Sequence, residues 1–285
     1  MKKILIIGAS GFIGSALLES LKGYEIHQLK GRSIKSTNIS ELSSKVSGYD
    51  VIINLAGKSI FGIWTKKSKQ EIYNSRVLTT RLIAQAVLET DFPPKHFINA
   101  SAIGIYKPEV ESDEFTNELG DGFLEKILKD WEKEASIFLT KNIKLTIIRI
   151  GIVLGKNGGA YKKLRQLTSL YLGTTFNRGQ QSLSYISIID LVRAVDFIIQ
   201  KNLTGIVNLV SPEYSTYQEL NRLLKKKLRV KISWNVPGIM IKLFFGESST
   251  IFLSGHKIIP TVLLKNNFNF ETPNLKTCVD KLESN

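Results

Sequence analysis

The stretch Lys3-Ile-Leu-Ile-Ile-Gly-Ala-Ser-Gly-Phe-Ile-Gly14 runs a β-branched apolar segment straight into three glycines spaced three apart. From Ile13 to Leu21 the apolar residues recur at helical spacing, so the reading is strand, glycine loop, helix. Gly8 permits a tight turn off the strand, Gly11 lets backbone approach a ligand, and Gly14 lets helix and strand pack closely. A helix that begins at such a loop presents free N–H groups and partial positive charge, which suit phosphate. Gly8, Ser10, Gly11, Phe12, Ile13 and Gly14 are therefore the residues expected at the pyrophosphate of a dinucleotide.

Working outward, β-branched runs at Lys3 to Ile7, Glu25 to Leu29, Val51 to Leu55, His96 to Ala100 and Leu145 to Ile150 alternate with helical patterns. One long helix is expected over Lys66 to Glu89 and another over Gly122 to Leu139. Such alternation predicts an α/β fold, a Rossmann doubly wound parallel sheet with its ligand crevice at the C-terminal ends of the strands. The second half reads as a short strand at Leu183 to Ile188, a helix over Asp190 to Gln200 that Asp190 is expected to cap, and a strand at Gly205 to Val210. The expected division is residues 1–156 as the dinucleotide-binding domain, completed by 180–210, with 157–179 and 211–285 as a smaller interleaved C-terminal substrate lobe.

The 285 residues are 43% hydrophobic, enough for a large core, and no apolar run approaches the roughly 20 residues that cross a bilayer. The longest, including Ile239 to Phe245, are too short, and no membrane partner is expected. Lys2 and Lys3 imitate the start of a signal peptide, but the glycine loop replaces its apolar segment and cleavage site, so the expected compartment is the cytoplasm. The lone Cys278 cannot form an intrachain disulfide, and His27, His96 and His256 lack metal-ligand spacing. The net charge of +14 invites a nucleic-acid reading, yet the cations are spread and the one dense run, Arg222 to Lys231, reads as a solvated helix face.

Cofactor choice is read at the end of the second strand, where NAD-specific sites carry an acid for the adenosine ribose. Here Lys30-Gly-Arg-Ser-Ile-Lys35 has none before Glu41, and Arg32 is able to pair with a 2′-phosphate. NADP is thus favoured over NAD, with a solvated loop cation as the other reading of Arg32. Leu55, Ala56 and Gly57 end the third strand beneath the adenosine, and Ser101 ends the fourth, facing the nicotinamide and substrate.

At these residues the chain resembles the extended and atypical short-chain dehydrogenase/reductase superfamily. The likeness spreads over Asn54 to Gly57, Trp64-Thr65, Ser75-Arg76, Ser101 to Tyr106, Asp130-Trp131-Glu132, Arg149 to Gly155 and Gly158 to Ala160. Those motifs are similar to the epimerase-like group that carries a cell-division-inhibitor or nucleoside-diphosphate-sugar epimerase label. The resemblance implies that Glu71 and Arg76 face the cofactor, Arg76 near its phosphates, although both also read as surface charges. It places Arg178 and Gln180 where relatives close over substrate. The superfamily pairs a serine with Tyr-x-x-x-Lys, and here Phe123-Leu-Glu-Lys-Ile-Leu-Lys-Asp-Trp-Glu132 stands in that place with no tyrosine. Tyr106 is the substitute candidate beside Ser101, ahead of Glu111, Glu114 and Glu118; the other reading of Tyr106 is a packing aromatic. The functional expectation is an NADP-dependent epimerase-like enzyme or oxidoreductase acting on a small molecule such as a sugar or nucleotide sugar. The alternative is a catalytically weak cofactor-sensing or regulatory protein that works through a protein partner, and a homodimer is compatible with either.

Overall fold

The computed structural model describes residues 1–170, 174–176, 179–231 and 234–284. Six strands form one parallel sheet: β1 (Lys3–Ile7), β2 (Glu25–Leu29), β3 (Val51–Asn54), β4 (His96–Ala102), β5 (Lys144–Ile150) and β6 (Gly205–Leu209). Their spatial order is β6-β5-β4-β3-β1-β2, so the chain leaves β1 to one side for β2 and returns to its other side for β3. That reversal opens a crevice above the ends of β1 and β3, the place where doubly wound sheets bind ligands.

The inner strands β1 and β3 form because they are apolar on both faces, as a sheet covered by helices on each side requires, whereas the edge strand β2 is polar and largely exposed. In β1, Ile4 and Ile6 pack into one cluster and Leu5 and Ile7 into the opposite one, all at most 2% exposed. On the first face lie α1 (Phe12–Ser20) and a helix over Ile188–Lys201, and on the other α2 (Ile39–Val46) and a helix over Val77–Glu89. A third cluster, formed by Leu154, Tyr161, Leu183, Tyr185, Leu220, Leu224, Cys278 and Val279, joins the segments outside the sheet.

Three sequence expectations change. The strand expected over Leu183 to Ile188 is two short ones, Ser182–Leu183 and Tyr185–Ser187, neither of them in the six-stranded sheet. The long helix splits into α3 (Lys66–Asn74) and α4 (Val77–Glu89). Ser75 causes the break: its Oγ donates to the Ile72 carbonyl at 2.8 Å and accepts from the Lys58 amide at 2.9 Å, competing with the helical ladder. Asp190 does not cap the helix over Ile188–Lys201. Ser187 does, accepting from the Asp190 amide at 3.0 Å. The buried Asp190 carboxylate instead accepts from the Glu271 and Thr272 amides, each at 2.8 Å, and clamps the C-terminal segment onto the start of that helix.

Candidate functional site

The glycine loop sits at the switch point. Gly8 has φ +86°, and a Cβ there would lie 2.9 Å from the Leu55 carbonyl carbon, so the turn off β1 runs against the end of β3. At Gly14 a Cβ would meet Ala9 Cα and the Gly8 carbonyl oxygen at 2.6 Å, which is the close helix packing the motif demands. Gly11 is different: a Cβ would find only the Gly8 carbonyl oxygen, at 3.3 Å, which leaves space on its open side. Gly11 is the N-cap of α1 and offers no capping side chain, whereas Asn38, Thr65, Ser187 and Thr216 cap their helices with side-chain oxygens. The first turn of α1 therefore keeps its anion-binding character. Ser10 is exposed and Ile13 half-buried beside it.

Phe12 turns the other way. Its ring fills a hollow made by Gly155, Gly158 and Gly159, where a Cβ on Gly158 would fall 2.2 Å from the ring. The Gly155 to Ala160 motif thus fastens the glycine loop to the segment after β5.

On the opposite wall, the break between α3 and α4 swings Arg76 over Gly57, whose Cβ would lie 3.2 Å from the guanidinium. Arg76 Nη1 donates to the Lys58 carbonyl at 2.9 Å, and the group stacks 5.5 Å from the Trp131 ring. It forms no ion pair with any described carboxylate, and burial alone pushes its pKa down to about 10, so it remains a cation at neutral pH. Beneath it, Asn54 Nδ2 donates to Thr80 Oγ1 and Asn99 Oδ1, each at 2.8 Å, and Trp131 Nε1 donates to the same Thr80 oxygen. Asn54 Oδ1 accepts from the Ala56 amide and so shapes the Leu55, Ala56 and Gly57 turn. Glu71 is occupied at the rim by Lys58. Arg32, one residue into a single helical turn after β2 (Gly31–Ile34), is exposed and pairs with no described residue.

The fourth strand carries Ser101 near its C-terminal end, buried and beside Arg149 across the register with β5. Helix α5 (Phe123–Ala135) supplies Glu132 to both. Ser101 Oγ donates to Glu132 Oε1 at 2.6 Å, and Arg149 makes a two-pronged pair with the same carboxylate at 2.9 and 2.8 Å. Burial works against the Arg149 charge, but the Glu132 bonds outweigh it and raise the pKa. Sequence reasoning assigned no role to Glu132 or Arg149. The signal was present in Asp130-Trp131-Glu132 and Arg149, motifs whose partners only the fold reveals.

Tyr106 does not line the crevice. It is fully buried, its ring lies 4.9 Å from the Arg149 guanidinium, and its hydroxyl donates to Asn208 Oδ1 at 2.9 Å. The one-turn helix Ile103–Ile105 turns the chain back over β4 and carries the ring inward, where burial pushes its phenol pKa up. Glu114 is equally committed, its Oε1 accepting from the Asn208 amide at 2.9 Å, and Glu118 pairs with Lys107 at the surface. Gln180 is exposed, and Arg178 lies outside the described residues. Among the described residues there is no cluster that could hold a metal ion, and no helix is long and apolar enough to cross a membrane.

Comparison with known proteins agrees with this architecture. The profile of the NAD dependent epimerase/dehydratase family matches residues 4–209, and that of a domain of unknown function, DUF1731, matches residues 236–282. An epimerase family protein of Staphylococcus saprophyticus is 31% identical, with 99% of both chains covered. Among solved structures, the human epimerase family protein SDR39U1 (isoform 2), crystallised with NADPH, superposes with a TM-score of 0.87 at 24% identity over 99% of each chain. The UDP-glucose 4-epimerase of Thermus thermophilus, complexed with NAD, gives 0.76 at 16% identity over 98% of each. From the glycine loop at the switch point to the strand that closes the sheet at Leu209, this chain belongs to the NAD-dependent epimerase/dehydratase family.

Proposed function

We propose that the crevice binds NADP and that the protein is an epimerase-like oxidoreductase for a small polar molecule of the sugar or nucleotide-sugar class. The observation that carries this is the pairing of two anion-seeking features, the uncapped first turn of α1 at Gly11 and the half-buried Arg76 cation that no described carboxylate neutralises. The backbone N–H groups of Phe12 and Ile13 and the Arg76 guanidinium would hold the pyrophosphate, the Gly11 N–H being spent on the Gly8 carbonyl at 3.1 Å, and Leu55 to Gly57 would pass beneath the adenosine. Arg32, free at the end of β2, would take the 2′-phosphate. The human relative's NADPH supports this choice, while the Thermus enzyme's NAD shows that the fold accepts either.

The dinucleotide, when bound, supplies hydride donation or acceptance at its nicotinamide ring. Ser101 gives its only proton to Glu132, so toward a ligand it offers lone pairs and accepts from a hydroxyl or amide N–H. Arg149 holds that carboxylate in place. Tyr106 faces the core and α5 carries no tyrosine, so neither supplies a phenol for ordinary carbonyl reduction. That same observation favours the second reading, a slow or silent catalyst that reports cofactor occupancy.

Calorimetric titration with NADPH and NADH on the wild type and Gly11→Asp tests the site. The aspartate places a carboxylate where the phosphates would lie, with one tight contact, its Cβ 3.3 Å from the Gly8 carbonyl oxygen. NADPH binding is expected in the wild type and lost in a variant that melts normally. Undiminished affinity would make the loop a structural turn only. Turnover of NADPH with a panel of nucleotide sugars and simple carbonyls separates the enzyme from the sensor.

A further inference from the structure

The helix Gly238–Phe245 reads Gly-Ile-Met-Ile-Lys-Leu-Phe-Phe and turns large apolar side chains outward. Ile239 is 69% exposed, Leu243 80% and Phe244 70%, with Met240 beside them. At 100° per residue these four fall within one arc of the helix, and Lys242 stands at its edge.

Ile63 and Leu170 are 65% and 66% exposed, and contacts of neighbouring residues tie their segments to the helix. Lys163 of the Gly159–Ser169 helix reaches the Phe61 ring at 5.3 Å, two residues from Ile63. The strand Thr174–Phe176 that follows Leu170 pairs with Trp234–Val236, which leads into Gly238. From the helix's far end, Glu247 pairs with Lys69 of α3, just beyond the Ile63 loop. Exposed cations are threaded through the same segments, including Lys66, Lys67 and Lys242.

We infer that this face docks onto an anionic membrane surface, a partner that the sequence, read only for a segment long enough to cross a bilayer, did not lead us to expect. Ile239, Leu243 and Phe244, 69 to 80% exposed, project outward as the apolar side chains of an interfacial helix do. Eight residues span only about 12 Å, so the helix lies in the plane of the interface and does not cross it. Lys242 can extend toward headgroups while the apolar arc inserts. The net charge of +14 opposes self-association through this face and favours a negative surface. Membrane docking of this kind is independent of the cofactor reading.

The test is co-sedimentation of the full chain with phosphatidylcholine vesicles, with and without a quarter of phosphatidylglycerol. The wild type should partition onto the anionic vesicles, less so at high salt, and Leu243→Asp with Phe244→Asp should weaken this by about tenfold or more at unchanged melting temperature. In a separate Phe244→Trp variant, tryptophan emission should shift to the blue on adding the anionic vesicles. Absence of wild-type partition, partition undiminished in the double variant, or an unshifted emission from the Phe244→Trp protein would overturn the proposal. So would a wild-type dimer that the double variant converts to monomer while vesicle binding is nil, because a second copy would then cover the face.

Discussion

Replacing Glu132 with alanine should destabilise this protein far more than its place on a helix suggests. The Arg149 side chain beneath it is only 4% exposed, and Glu132 is its sole anionic partner among the described residues. Removing one member of a buried pair leaves an uncompensated charge, at a cost of about 3 to 5 kcal/mol. For a chain of this size that is a fall in melting temperature on the order of 10 °C. The same helix carries its own control: Glu134 pairs with Arg81, half-exposed at the surface, and Glu134→Ala should scarcely move the transition. Replacing both Glu132 and Arg149 by leucine and methionine should recover much of the loss, since no charge is then stranded. Urea unfolding of the three variants beside the wild type decides it. If Glu132→Ala costs no more than Glu134→Ala, the pair is not the buried anchor of Ser101.

Arg32→Ala should narrow the preference for NADPH over NADH by about tenfold or more, the loss of a charge-assisted bond of roughly 1.5 to 3 kcal/mol, read by calorimetry; equal loss for both cofactors would remove Arg32 from the 2′-phosphate. Gly158→Ala drives a methyl into the Phe12 ring and should cost about 1 to 3 kcal/mol in urea unfolding, whereas Gly205→Ala, with open space at its Cβ position, suffers only from its φ of +84°. His96 is buried against Thr146 Oγ1, and burial pushes its pKa down to about 4. Because the unfolded imidazole titrates near 6.5, its contribution is present above that pH and is lost as pH falls from there toward 4, up to about 3 kcal/mol. Unfolding free energies at pH 7.5 and 4.5 should therefore converge in His96→Gln relative to wild type; an unchanged difference would place the acid sensitivity elsewhere.

The sheet and the glycine loop were legible in the chain itself. Parallel strands buried on both faces must be apolar throughout, and a turn against the end of β3 admits only glycine at position 8, so both requirements write themselves into local sequence. The helices were legible where periodicity was long, but their ends were not. Whether Ser75 or Ser187 bonds its own backbone or a neighbour depends on what lies beside it. The partners of Ser101 were the least legible part. Its place near the end of the fourth strand was readable, but Glu132 and Arg149 meet it from 31 and 48 residues away, through strand register and helix packing. Tyr106 stands five residues after Ser101 and was expected beside it, yet a single helical turn at Ile103–Ile105 sends its ring into the core. Backbone requirements are local and survive in the sequence. The partners of a charge or a hydroxyl are chosen by contacts between distant segments, and those exist only once the chain has folded.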